Sequence, residues 1–233
     1  MHKNLEYTVK FRFLNHKEIT KLSSEYNKAF NDHDANKLTE NIIQLNIEQI
    51  VNSEILNAVY KKIEACVIKI LNVSDISLAK VWLVKTQSND SNPNILPYLP
   101  HFDKDRYFKA MIYLHDVGKD HGPIYFGKLH DPAQINIRRK SLPKNYKILN
   151  LNLIQKNQLR IDMKPMLGKK GDVIFFDTNA AHCAGVVTKG FERKVIRFDF
   201  KYPGYETRPS LIHLFLNNLF SKNKVINKLL MKK

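Results

Sequence analysis

The sequence predicts a mainly β protein with flanking helices, an α+β chain built on a jelly-roll β core. Two observations carry that expectation. Apolar residues recur at helical spacing towards the two ends, between His16 and Leu71 and again after Pro209. Between Leu78 and Tyr202 the pattern is instead short apolar runs broken by turns. A chain of 233 residues suits a single β-rich domain. The expected organisation is one domain over residues 1–233: a mostly helical N-terminal buttress (1–75), the β core (76–203) and a C-terminal helical segment (204–233).

Taken in order, Leu5 to Phe13 alternates apolar and polar positions and reads as a short strand. His16 to Phe30 reads as a helix, with Ile19, Leu22, Tyr26 and Phe30 at helical spacing. Asn31 to Asn36 is a loop by composition. Ser53 can cap a helix to Leu71, whose stripe of Ile55, Leu56, Val59, Ile63, Val67 and Ile70 should pack on a sheet. Leu78 to Thr86 is strand-like and carries the single tryptophan, Trp82. Gln87 to Pro100, rich in Asn, Ser and Pro, is a loop. Phe108 to Leu114 is a strand. Gly118 to Pro123 is a tight connection into the run Ile124–Phe126, and Asp131 to Ile161 is polar and irregular. Lys169-Lys170-Gly171-Asp172 is a turn into Val173–Asp177. Val195 to Tyr202 is the last strand, with Ile196, Phe198 and Phe200 alternating with Arg197, Asp199 and Lys201. After Pro209, Leu211, Ile212, Phe215, Leu219 and Phe220 make one helical face, and a basic amphipathic segment follows.

The formal charge of +16 favours acidic partners: phosphates, nucleic acid, anionic lipid or polyanionic glycans. The two cysteines, Cys66 and Cys183, form no Cys-x-x-Cys pair, which argues against a zinc ribbon, an Fe–S site or a disulfide framework. Met1 to Lys10 lacks the apolar segment of a signal peptide, and no run of about 18 apolar residues suggests a membrane span. The expectation is a cytoplasmic protein.

Chemistry concentrates at His101-Phe102-Asp103. Residues two apart on an extended chain share a face, so an imidazole and a carboxylate converge. His182 follows the hydrophobic run Val173–Asp177. Two histidines and one carboxylate on one side of a metal, with open positions opposite, suit a non-heme Fe(II) oxygenase.

The segment from about Trp82 to Tyr202 resembles the Fe(II)- and 2-oxoglutarate-dependent dioxygenases of the phytanoyl-CoA dioxygenase type. His101-Phe102-Asp103 matches that family's first iron motif. Phe108 to Val117 with Gly122-Pro123 matches the strand and turn that follow it. Gly171-Asp172-Val173-Ile174-Phe175-Phe176, leading to His182, matches the strand before the distal iron histidine. Thr188 to Lys194 matches the region carrying the arginine for the far carboxylate of 2-oxoglutarate, here Arg193, eleven residues beyond His182.

The resemblance implies a double-stranded β-helix of cupin-like type, with Fe(II) on His101, Asp103 and His182, and with 2-oxoglutarate and O2 as cosubstrates. Arg193 is the expected anchor, since a planar guanidinium pairs with both carboxylate oxygens. Arg197, four residues on, is its rival. Relatives often carry Ser-His after the Gly-Pro strand, where this chain has Leu129-His130. They often place a hydroxyl residue two after the distal histidine, where this chain has Ala184, and Thr188 is the candidate replacement. A carboxylate at Asp103 argues for hydroxylation, because related halogenases leave that position small.

Other residues read more plainly. His115, His121 and His130 lack a same-face partner and read as solvent- or substrate-facing. Lys109 and Tyr113 can each face a pocket, and Trp82 and Lys85 are plain strand residues first and cavity residues second. Cys183 neighbours His182 and so points to the opposite face. The basic run Arg138–Lys140 and the C-terminal lysines are solvated faces first and anion-recognising surfaces second. The expected partner is a small-molecule substrate, tilted towards an anionic one by the charge. A nucleic-acid oxygenase using the same iron site ranks second, since no aromatic–basic interleaving stands out. A cupin-like binding protein without turnover ranks third. The C-terminal helices should pack on the core, with membrane-surface or subunit contact as the alternative.

Overall fold

The computed structural model describes residues 7–32, 37–90, 97–98, 101, 103, 105–129 and 163–204. The expectations for Asp131–Ile161, for His130, for most of Gln87–Pro100 and for the helices after Pro209 lie outside them.

The N-terminal helices form for local reasons. Helix α1 (His16–Asn31) is capped by Asn15, whose side chain accepts from the Glu18 amide while Glu18 accepts from the Asn15 amide. Ile19, Leu22 and Tyr26 make its buried stripe. A short helix α2 (Ile47–Asn52) uses the same reciprocal cap between Asn46 and Gln49. Ser53 caps α3 (Glu54–Leu71), which ends where Asn72 turns left-handed at φ 52°. Leu56, Val59, Ile63, Val67 and Leu71 are its buried residues, while Ile55 and Ile70 pack at the margin.

Among the described residues, ten strands form two antiparallel sheets. In chain order they are β1 (Tyr7–Lys10), β2 (Lys37–Thr39), β3 (Ile42–Leu45), β4 (Leu78–Gln87), β5 (Tyr107–Tyr113), β6 (Ile124–Leu129), β7 (Lys164–Pro165), β8 (Val173–Asp177), β9 (Ala180–Ala184) and β10 (Glu192–Lys201). The major sheet has the order β1-β8-β5-β10-β4-β3-β2, and the minor sheet β7-β6-β9. The result is mainly β with flanking helices, a jelly-roll double-stranded β-helix as the sequence predicts.

Alternation along the major sheet sorts side chains to two sides. Val81, Leu83, Phe108, Ala110, Ile112, Phe175, Ile196, Phe198 and Phe200 face the helices and share one core with Leu22, Val59, Ile63 and Val67. Tyr60 stacks on Phe198 and Phe200, with ring centroids 6.3 and 6.5 Å away. The other side meets the minor sheet, where Met111, Tyr113, Ile174, Phe176 and Val195 pack with Ile124, Phe126, Met166 and Ala180. Near-continuous burial of β5 and β8 follows from having a layer on each side.

Several elements were not legible. The β2–β3 hairpin and α2 lie where the sequence suggested none. β3 is four residues long, too short to show a period, and is strand because Ile42 to Leu45 pair with Val84 to Val81 of β4. Apart from His182, β9 is built of small residues and exists through pairing with β6. No helix among the described residues is long and apolar enough to cross a membrane.

Candidate metal centre

Backbone pairing brings the two histidines together. His101 and His182 form an isolated antiparallel bridge, each amide donating to the other's carbonyl at 3.0 Å. Their rings stand side by side, with centroids 4.5 Å apart. Asp103 Oδ1 lies 3.4 Å from His182 Nε2 and 3.7 Å from His101 Nε2. One ligand atom from each of the three residues falls within 4.8 Å of the others.

The protonation pattern of His182 suits a cation. Its Nδ1 is 2.9 Å from the Ala180 carbonyl oxygen, which can only accept, so Nδ1 carries the proton and Nε2 offers a lone pair. That lone pair points at a carboxylate oxygen, an arrangement of acceptors that a metal ion satisfies. Burial pushes the Asp103 carboxyl up, but the Lys109 ammonium beside it outweighs that and holds it well below the usual carboxylate range. Phe176 and Phe126 flank the His182 ring at 5.6 and 6.4 Å.

These residues open into a cavity of about 830 Å³ between the sheets. Arg193 lines it from β10 and is 7% exposed. Its guanidinium donates to the Gly122 carbonyl oxygen and, at 3.4 Å, to Thr86 Oγ1, while Nε is buried without a partner. Gly122 holds φ 63°, and a Cβ there would collide with the Gly185 carbonyl, so the approach demands glycine. Burial pulls the guanidinium below its usual value, and no carboxylate pairs with it among the described residues. A buried arginine with an idle N–H in the cavity fits a carboxylate-bearing ligand such as 2-oxoglutarate.

Arg197 also lines the cavity, but Asp199 holds it at Nε (2.8 Å) and Nη2 (3.1 Å). Asp199, itself 3% exposed, accepts from Trp82 Nε1 at 2.9 Å as well. The Arg197 and Lys80 cations each lie 5.5 Å from the Trp82 ring centroid. Trp82 is thus a cavity residue as well as a strand residue.

Thr188 is elsewhere. It is exposed and donates to Asp120 Oδ1 at 3.0 Å, away from the cavity. The hydroxyl beside Arg193 belongs to Thr86, its cross-strand partner, and Ala184 lines the cavity without one. His115 and His121 face each other at 5.2 Å in a separate cavity of about 350 Å³. Lys109 faces the metal centre, whereas Tyr113 is fully buried with its hydroxyl on the Met166 carbonyl at 2.8 Å. Cys183 lines the cavity but stands outside the cluster of ligand atoms.

No protein-family model matches the chain, and no curated protein sequence matches it. Solved structures do. SnoK, a non-heme α-ketoglutarate-dependent carbocyclase from nogalamycin biosynthesis, superposes with a TM-score of 0.68 at 13% identity, covering 92% of this chain and 87% of its own. SnoN, an epimerase from the same biosynthesis, gives 0.62 at 15% identity over 91% and 83%. HygX from Streptomyces hygroscopicus, with nickel, 2-oxoglutarate and hygromycin B bound, gives 0.56 at 12% identity over 86% and 84%. The chain therefore shares its fold with non-heme, α-ketoglutarate-dependent enzymes.

Proposed function

We propose that the protein is an Fe(II)- and 2-oxoglutarate-dependent oxygenase of the phytanoyl-CoA dioxygenase-like group, hydroxylating a small anionic organic substrate. The observation that carries this reading is the convergence of His101, Asp103 and His182 on one point beside a buried arginine with an unpaired N–H. His101, Asp103 and His182 would hold the iron. Arg193 and Thr86 would receive the far carboxylate of 2-oxoglutarate, two donors on facing strands. Iron with its cosubstrates would couple decarboxylation of 2-oxoglutarate to succinate and CO2 with insertion of one oxygen atom from O2 into a substrate C–H bond.

The remaining residues serve orientation and charge. Arg197, Lys80 and Trp82 line the wall of the cavity, and Asp199 fixes two of the three. Lys80, Lys85, Lys109, Arg193 and Arg197 line the cavity against the carboxylates of Glu40, Asp103 and Asp199, and this excess of cations favours an anionic group on the substrate. Phe176 and Phe126 pack beside the His182 ring and make that side of the centre apolar.

The test is succinate formation from 2-oxoglutarate under air by protein reloaded anaerobically with Fe(II). Slow turnover in the wild type and none in His182→Ala is expected. Failure of the wild type to bind either Fe(II) or 2-oxoglutarate sinks the reading. SnoN and SnoK carry epimerase and carbocyclase names on this fold, so product analysis must separate oxygen insertion from an oxidation that leaves oxygen out.

A further inference from the structure

Lys109 is only 5% exposed, and its ammonium sits directly on the carboxylate of Asp103. A lysine is seldom buried to this extent without a counter-ion, and Asp103 supplies it. The pairing is selective between the two oxygens. Oδ2 takes the ammonium, while Oδ1 is the atom that faces the two imidazoles. The ammonium therefore does not stand in for a metal, because it and the metal position use different oxygens.

The strand fixes this choice. Lys109 lies on the cavity face of β5, with Asp199 of β10 and Phe176 of β8 as its register partners. Asp199 is already occupied by Arg197 and Trp82. Asp103 is left as the carboxylate for Lys109 to meet.

Carboxylates bind metals through one oxygen or through both, and the second mode consumes a further coordination position. Building on the iron-centre reading above, we propose that Lys109 is a positioning residue that caps Asp103 Oδ2. Asp103 would thereby offer a metal one oxygen, Oδ1, and leave a further coordination position for a diatomic ligand. The cap acts as a hydrogen-bond donor to the ligand's outer oxygen, the way supporting groups orient metal ligands generally.

The test is nitric oxide binding to the full chain loaded anaerobically with Fe(II) and 2-oxoglutarate, read by electron paramagnetic resonance. Lys109→Met keeps the volume and removes the donor, and Lys109→Gln keeps a donor without the charge. The Met variant should retain Fe(II) while its nitric oxide affinity falls about tenfold or more, the scale seen when a ligand's supporting partner is lost. The Gln variant should recover most of that loss. Wild-type nitric oxide affinity in iron-loaded Lys109→Met overturns the assignment. So does an equal loss in the Gln variant, or a Met variant that no longer takes up Fe(II). Lys109→Leu replaces the Met variant if that chain does not fold. A wild-type protein that takes up no Fe(II) removes the iron-centre reading itself, and this assignment with it.

Discussion

Arg106 and Asp177 form a partly buried two-point ion pair that ties the chain entering β5 to the end of β8. Arg106 Nε lies 3.2 Å from each Asp177 oxygen, and Asp177 is 3% exposed. The ring of Tyr202 covers the guanidinium at 3.4 Å. Removing the arginine leaves a buried carboxylate without its cation. Arg106→Leu should therefore destabilise the protein by about 3 kcal/mol. Urea denaturation of the wild type, Arg106→Leu and Arg106→Leu/Asp177→Asn would measure it, and the double variant should recover part of the loss. A wild-type midpoint in Arg106→Leu would refute the claim.

The two arginines of β10 should separate cleanly. Arg193 has an idle buried N–H in the cavity, whereas Arg197 is engaged by Asp199. Arg193→Met should weaken 2-oxoglutarate binding by roughly one to two orders of magnitude, the value of a lost charge-assisted hydrogen bond. Arg197→Met should leave it nearly unchanged. Titration calorimetry with 2-oxoglutarate on the metal-loaded protein decides, and the opposite ranking would exchange their roles.

Metal should stabilise the folded chain, because the three ligand atoms meet only there. At free Co(II) about 100-fold above Kd, the gain is about 2.7 kcal/mol. The thermal midpoint should rise accordingly, fall back with a chelator, and stay flat in His182→Ala. An equal rise in that variant would place the ion somewhere else.

A pH dependence follows from His115. Its Nε2 accepts from the Lys194 amide at 3.0 Å, and its Nδ1 is 2.8 Å from the Asp116 carbonyl oxygen, so the folded state wants the neutral ring. Burial pulls its pKa below the ordinary 6.5, against a smaller opposing effect of the Asp116 carbonyl. A histidine lowered in the folded state gives stability that is fully present above the unfolded value and drains away as pH falls below it. The wild type should thus lose more stability than His115→Gln between about pH 7.5 and 5.5. Denaturation midpoints at both pH values test this, and equal slopes would contradict it.

The sequence by itself determined what depends on neighbours close along the chain. Helices α1 and α3 were readable because their stripes repeat at helical spacing, and Ser53 was readable as a cap. His101 and Asp103 could be paired because they stand two residues apart. The alternation of Ile196, Phe198 and Phe200 with Arg197 and Asp199 revealed the two sides of β10, though not which strands would lie beside it.

Tertiary structure decided what crosses between strands. Thr86 meets Arg193 from 107 positions away, through the register of β4 against β10. That pairing, and not the nearby Thr188, places a hydroxyl beside the guanidinium. The pairing of Lys109 with Asp103 depends on Asp199 being taken by residues of β4 and β10. The β2–β3 hairpin is strand only because β4 offers it an edge. The physical reason is common to all three. Side-chain periodicity encodes the face a residue occupies, but its partner across the sheet is set by strand order and register, which long-range burial fixes.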